Sequence, residues 1–349
     1  MVDSWYVENL VCPVEREPLE VRDEFLVSPG GRRYPVVDGI PIMLVEDAEQ
    51  TIGVASDSLR CAHEASGPEG KEEKKDFYLK TLGISEEEKE ELRGLIARGS
   101  AGEVDPVVSY LVAATNGIAY KSVVGTLDSY PIPELRLPES EGEIFLDVGC
   151  NWGRWSLAAA EEGYEVIGID PSLEAIRTAR RVGRQYGHET RYVVADGRYL
   201  PFRSSTFDTV FSYSVLQHFA KEDARSCLLE VDRVLQTGGQ SLIQMANAWG
   251  IRSLYHQMRR GFRTAQNFGV RYWTVPELRN TFESVIGAST IEVDCFFGLG
   301  LQKSDIRMMS PLARKATQTS EILRAIATYI PAIIYVADSV YVHSCQSSK

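Results

Sequence analysis

Aspartates that close successive apolar runs, the first followed by a glycine turn, are the residues of this chain best suited to hold a ligand. Residues 144–153 read Ile-Phe-Leu-Asp-Val-Gly-Cys-Asn-Trp-Gly, a buried strand that runs into a turn and then into a helix starting at Arg154. Gly149 and Gly153 let backbone approach a ligand with no Cβ in the way, and the helix behind them presents free N–H groups. A nucleotide-like ligand fits such a turn. Its G-x-x-x-G spacing departs from the G-x-G-x-x-G that holds a pyrophosphate, which disfavours a nicotinamide dehydrogenase. A second run, 166–169, ends in Asp170-Pro171, where a carboxylate can accept hydrogen bonds from two ribose hydroxyls. Asp196-Gly197 closes a third run, Ser212 a fourth, and a fifth (239–245) follows the turn Thr237-Gly238-Gly239. Residues 212–219, Ser-Tyr-Ser-Val-Leu-Gln-His-Phe, put Gln217 and His218 at the edge of the same crevice. The ordinary pKa of His218 would suit a general base near neutral pH; the plainer role is to cap the next helix or line the pocket.

The elements that must position these residues follow from the same pattern. From Ile144 onward, short apolar runs alternate with helix-like stretches, which predicts a largely parallel sheet with helices on both faces and one crevice at the strands' carboxyl ends. Upstream, residues 1–48 are rich in Pro, Gly and short β-like runs and form a small β-rich module. Residues 49–104 read as a linker with charged helices; a capping box at Ser85 starts one that ends near Ala97. A more apolar helix is expected from Asp105 to Val124, opening a third region over residues 105–349.

Composition narrows the function. The chain has 349 residues and a net charge of −12, so its whole surface is not built to grip nucleic acid, although a local basic patch is allowed. Its six cysteines include no C-x-x-C pair, and neither a disulfide framework nor a four-cysteine metal site is expected. With Asp3, Glu8 and no apolar run in residues 1–13 no secretory leader is expected, and because Pro331 and Asp338 break the apolar stretch 326–342, a cytoplasmic protein without a transmembrane span is expected. Between Arg233 and Pro276 there is no Asp or Glu, yet there are six arginines. Arg252, Tyr255, Arg259, Arg260, Arg263, Tyr272 and Trp273 in that stretch could form a cap (about 247–276) that grips an anionic acceptor and covers a ring. They could equally be a solvated helix face.

Taken as an ordered set, D-V-G-C-x-x-G (147–153), I-G-I-D (167–170), A-D-G (195–197) and F-D-x-V-F-S (207–212) resemble the class I S-adenosylmethionine-dependent methyltransferases over residues 105–349. The resemblance implies a Rossmann-like sheet, mostly parallel with an antiparallel last strand, and S-adenosylmethionine as cofactor. It implies that Asp147, Gly149 and Gly153, with Cys150 and Asn151 between them, lie against the methionine portion, Asp170 with Pro171 at the ribose, and Asp196 with Gly197 at the adenine, with Ser212 and Gln217 nearby. Residues 212–215 differ from the box of amino-group methyltransferases acting on adenine or cytosine, and no Pro-Cys dipeptide marks a cytosine-C5 enzyme. The amino-terminal module resembles zinc-ribbon proteins that activate certain methyltransferases. Three of that family's four cysteine positions here are Glu15, Ser28 and Gly31, leaving Cys12 alone, so no zinc is expected. The expected activity is O-methylation of a small or lipid- or sugar-linked, possibly anionic acceptor. The alternatives are an RNA (tRNA) methyltransferase with a built-in activator and a scaffold without catalysis.

Overall fold

The computed structural model describes residues 2–48, 53–66, 78–98, 104–116, 120, 123–298 and 300–347. The apolar runs become strands of one seven-stranded sheet: β5 (Ile144–Val148), β6 (Glu165–Asp170), β7 (Arg191–Val194), β8 (Phe207–Ser212), β9 (Leu235–Ala246), β10 (Ser289–Cys295) and β11 (Ser339–Cys345). Their order is β10-β11-β9-β8-β5-β6-β7. Pairings among β5 to β9 are parallel, while β11 runs antiparallel to both β9 and β10. Among the described residues it is the one reversed strand, in agreement with the Rossmann-like architecture expected. Helices α5 (Arg154–Glu161), α6 (Leu173–Gln185), α7 (Lys221–Val234) and α9 (Val275–Val285) connect the strands, and α8 (Ile251–Arg259) and α10 (Pro311–Ala327) lie in the carboxyl-terminal half. Strands buried on both faces explain the continuous apolar runs: Leu146, Ile167, Val193, Val210 and Ile243 are each 0% exposed.

The amino-terminal module is a helix α1 (Ser4–Asn9) and a four-stranded antiparallel sheet, β1 (Glu20–Arg22), β2 (Phe25–Val27), β3 (Arg33–Val37) and β4 (Ile40–Pro41). It seals the edge of the large sheet. An edge strand displays unpaired N–H and C=O groups, and on β7 those of Tyr192 are met by the Tyr6 hydroxyl, which accepts from one and donates to the other at 2.9 Å. The next outward carbonyl, of Val194, accepts from the Met43 N–H at 2.7 Å. Leu10, Cys12, Leu26 and Tyr34 share one apolar core with the strands of the large sheet.

Two expectations between the sheets need correction. The capping box at Ser85 is present and starts α3 (Glu86–Arg98), with bonds of 2.8 and 3.2 Å between Ser85 and Glu88. The helix expected over 105–124 is shorter, α4 (Pro106–Asn116); part of its remainder lies outside the described residues. Residues expected to link include a further helix, α2 (Gly53–Ala65), that the composition did not signal, whereas residues 67–77 lie outside the described part. Among the described residues no helix is long and apolar enough to cross a membrane.

The Tyr6 hydroxyl is buried, with its pKa pushed up to about 12 by desolvation, so it stays a neutral donor and acceptor. Tyr6→Phe removes both bonds and leaves the Tyr192 amide and carbonyl buried without partners. A loss of about 1–3 kcal/mol in urea unfolding is expected; an unchanged midpoint would reject this account of how the module is held.

Candidate active site

The crevice is built around the turn after β5, where Gly149, Asn151 and Gly153 all take left-handed backbone, with φ of 80°, 47° and 84°. Asn tolerates that region because its short side chain bonds locally, and here the Asn151 Oδ1 accepts from the Trp152 N–H at 2.8 Å. The amides of Gly149 and Cys150 both donate to the Ile169 carbonyl (2.8 and 2.9 Å), that of Asn151 to Asp170 Oδ2 (3.1 Å), and that of Gly153 to the Cys150 carbonyl (2.8 Å). The turn therefore spends its N–H groups on β6 and on itself. What the turn itself offers a ligand is close backbone approach, as its glycines led one to expect.

The glycines differ in purpose. A Cβ on Gly149 would fall 2.3 Å from Val215 Cγ2, so this glycine lets the loop after β8 close over the turn. A Cβ on Gly153 would meet Tyr192 Oη at 2.9 Å and Ala179 Cβ at 3.0 Å, which makes Gly153 a helix-to-sheet packing position. Gly197 faces Cys227 Sγ and Val148 in the same manner. The Cys150 thiol also points into the interior, where burial pushes its pKa well up.

Asp147 is buried behind the turn, its Oδ2 accepting from the Ser156 hydroxyl at 2.7 Å; burial, then the nearby Asp170 charge, pushes its pKa up to about 7. It braces α5 against β5, and its carboxylate does not reach the crevice surface. Asp170, at the carboxyl end of β6 and beside Pro171, is 9% exposed. It accepts from the amides of Asn151 and, at 2.9 Å, of Ser172, while burial pushes its pKa up to about 6. The first turn of α6 behind it is capped from outside the sheet: the Leu173 N–H donates to Ser58 Oγ (3.0 Å) and the Glu174 N–H to Thr81 Oγ1 (2.9 Å).

Asp196 follows β7 but is not a free acceptor. Arg198 covers both its oxygens, at 3.1 and 3.2 Å from Nε and 2.7 Å from Nη2, and reaches on to Asp223 at 3.3 Å. Ser212 is buried and donates to the Val148 carbonyl at 2.8 Å, which ties β8 to β5. Gln217 donates to Ser214 Oγ at 2.7 Å, and its Oε1 is buried with no hydrogen-bond partner among the described residues. Asp170, the turn and Gln217 thus lie at the carboxyl ends of β6, β5 and β8.

His218 does not have the character expected of a base. Its ring stacks on Phe268 (centroids 4.0 Å apart), and Nδ1 donates to the Phe268 carbonyl at 2.8 Å. Burial pushes its pKa down to about 4, so it is neutral and feebly basic near pH 7. The arginine-rich stretch divides as well. Arg271 gathers the carbonyls of His218, Asn267 and Gly269 through one nitrogen at 2.5–3.0 Å, and Arg260 bonds that of Val270 at 2.9 Å while lying over Tyr272. Trp273 is a core residue under Lys221. Arg260, Tyr272 and Trp273 are thereby committed to folding the cap, whereas Arg252, Tyr255, Arg259 and Arg263 are exposed on its outside.

Sequence reading missed a buried polar rim on the same side of the sheet. Arg154, the first residue of α5, pairs with Asp305, which also accepts from the Tyr120 hydroxyl. The Tyr213 hydroxyl donates to Asp294 Oδ2 at 2.9 Å and accepts from Gln302 at 2.8 Å, and Ser339 donates to the same oxygen at 2.7 Å. Arg154 directly follows the glycine turn and could have been noticed. Asp294, Gln302 and Asp305 belong to no motif.

Comparison with known proteins finds similarity over part of the chain. Residues 145–239 match the family described as a methyltransferase domain. Over 141 residues, the chain is 31% identical to the tRNA (carboxymethyluridine(34)-5-O)-methyltransferase of Saccharomyces cerevisiae, covering 40% of this chain and 47% of that protein. Over 114 residues it is 32% identical to O-methyltransferase resE of Aspergillus sclerotiorum, covering 31% and 41%. The chain thus spans less than half the length of these two curated relatives. A SAM-dependent methyltransferase structure from Methanosarcina mazei is 18% identical with a TM-score of 0.43, covering 60% of this chain and 95% of that one. Over residues 145–239 the chain is thus similar to a methyltransferase domain, the class of domain that uses S-adenosylmethionine, and these residues lie on a Rossmann-like sheet.

The residues present suit that cofactor. Asp170 is an acceptor of the kind a ribose diol requires, and the unpartnered Gln217 Oε1 can take an ammonium or amide N–H. A ribose diol donates to a carboxylate and gains little from a carboxylic acid. Because the Asp170 pKa is already raised to about 6, affinity for S-adenosylhomocysteine is expected to be level above that pH and to fall below it, by at most about tenfold per pH unit. Calorimetry across pH 5–8 checks this expectation; affinity that rises on acidification rejects the ribose role.

Proposed function

We propose that the protein is an S-adenosylmethionine-dependent methyltransferase whose acceptor atom is an oxygen, on a small or lipid- or sugar-linked molecule that carries negative charge. The observation behind the activity is the carboxylate at the carboxyl end of β6, bonded to the glycine turn after β5, in a sheet with a single reversed strand among its described members. When bound, S-adenosylmethionine supplies a methyl group on a cationic sulfur. Displacement at that carbon is in line, so the chain's task is mainly to orient the two ligands. Asp170 holds the ribose, Asp196 and Arg198 together frame the base, and Gln217 stands at the methionine end.

Two facts support an oxygen, the second an oxygen that is already ionised. The printed names of both relatives specify O-methyl transfer. His218, with its pKa down at about 4, is a weak base for an alcohol, whereas a carboxylate acceptor has no proton to lose. A second reading, methylation of RNA, draws on the tRNA relative together with the amino-terminal module.

We read that module as a zinc-ribbon-like activator in degenerate form, occupying residues 1–48. Cys12 Sγ accepts from the Glu15 N–H at 3.3 Å, and the Glu15 carboxylate accepts from the Ser28 hydroxyl (3.0 Å) and the Gly30 N–H (3.1 Å). Of the positions that the resemblance gives to metal ligands, Glu15 thus bonds Cys12 through its amide and Ser28 through its carboxylate. Docked on β7 within one chain, the module stays at its methyltransferase domain without a binding equilibrium.

Labelled S-adenosylmethionine incubated with the protein and cell extract, followed by separate counting of lipid, small-molecule, protein and RNA fractions, tests the proposal. Label is expected in the lipid or small-molecule fraction as a base-labile ester; label in RNA establishes the second reading, and none in any fraction a scaffold. Asp170→Ala is expected to weaken cofactor binding by about 2–4 kcal/mol, because charge-assisted bonds to two hydroxyls are lost. A folded Asp170→Ala protein with wild-type affinity would refute the assignment.

A further inference from the structure

Helix α8 is inside out. Ile251, Tyr255 and Met258, spaced as one helical stripe, are 49%, 54% and 61% exposed, while the side turned inward carries polar residues. There the Ser253 N–H donates to Asp338 Oδ1 at 2.8 Å, and the Gln257 amide donates to the Ala248 carbonyl at 2.7 Å. Trp249 before the helix and Phe262 after it are equally open to solvent. A second group of exposed apolar residues lies nearby: Asn247, four residues before α8, donates to the Tyr335 carbonyl at 3.0 Å in the turn over 331–336, where Tyr335 and Val336 are exposed, as are Tyr329 and Ile330 just before it.

The charge around this patch has one sign. Arg252, Arg259 and Arg263 are exposed along it, and neither residues 233–276 nor 322–337 contain an acid, in a chain of net charge −12. We infer that this face docks the protein on an anionic lipid surface, with the stripe of α8 entering the interface and the arginines at the headgroups. Apolar residues flanked by arginine, with Trp and Tyr at the margins, match what an interfacial helix requires. Nucleic acid would use the aromatics by stacking and the arginines by charge, but Ile251, Met258, Ile330 and Val336 give it nothing to bind.

The position of the face adds the acceptor class. Helix α8 begins five residues beyond the carboxyl end of β9, on the rim that also carries Asp170. A docked molecule therefore opens its crevice toward the bilayer, and the acceptor is an anionic group borne by a lipid; this last step rests on the proposed methyltransferase activity, whereas the docking does not.

Flotation of the full chain with phosphatidylcholine vesicles, with and without phosphatidylglycerol, is the test. Binding is expected to the anionic vesicles alone and to weaken with salt. Ile251→Asp combined with Met258→Asp is expected to reduce it by at least about tenfold while melting temperature and S-adenosylhomocysteine affinity stay at wild-type values. Arg259→Glu with Arg263→Glu, which leaves the apolar residues in place, is expected to do the same and stands in should the first pair misfold. Wild-type protein that ignores anionic vesicles overturns the inference, as does vesicle binding that survives both double variants. It is also overturned by binding of bulk tRNA through this face without vesicle binding, or by a dimer in light scattering that the first pair dissolves. A chain that floats yet binds no cofactor retains the docking and defeats the proposed activity, so the two failures are distinct.

Discussion

Burying the Asp170 carboxylate at the end of β6 obliges the chain to surround it with donors, and much of the site follows from that obligation. A buried charge costs several kcal/mol unless it is hydrogen-bonded, and a bond to a charged acceptor returns about 1.5–3 kcal/mol. The donors are the Asn151 and Ser172 amides. To deliver the first, the turn after β5 must rise through left-handed backbone at Gly149, Asn151 and Gly153; to deliver the second, α6 must start immediately after Pro171. The remaining penalty shows in the raised pKa of about 6. A carboxylate left slightly under-satisfied in this manner is one that a ligand's hydroxyl donors can improve.

The same demand reaches outward to segments that are remote in sequence. Helix α6 can present its first N–H groups to the interior because Ser58 on α2 and Thr81 cap them. The region between the two sheets is therefore a buttress of the Asp170 carboxylate as well as a connection. Beyond it, the amino-terminal module closes β7, the strand that leads to Asp196. On the other flank, the loop after β8 is pinned by the stack of His218 on Phe268 and by Arg271 on three carbonyls, which sets Gln217 in place.

What could be read from the sequence was whatever has a local cause. Parallel strands buried on both faces must be continuous apolar runs, and their polar ends mark the crevice, so Asp170 and the turn were legible from residues 144–170 alone. The reversal of the last strand came through the family resemblance and the order of the strands only through the structure, because pairing partners leave no mark on a single run. Contacts across sequence were not legible. Nothing near Asp196 announces that Arg198 will turn back and cover both its oxygens, and a glycine such as Gly153, required by Tyr192 and Ala179, looks the same in sequence as one required by a ligand. The rim of Tyr213, Asp294 and Gln302 joins residues about ninety positions apart and could be found only in three dimensions.

The acid-free stretch was legible as an anomaly, and its explanation is double. Arginine without a carboxylate nearby satisfies its donors with backbone carbonyls, as Arg260 and Arg271 do, and these bonds give an irregular cap its shape. A single Asp or Glu among them would compete for the guanidinium groups and unfasten the loop over the crevice. The same lack of acids leaves Arg252, Arg259 and Arg263 with a positive field outside, in a protein whose net charge is −12. Folding the cap and turning a positive, apolar helix face outward therefore make one compositional demand, and a stretch selected for either would serve the other.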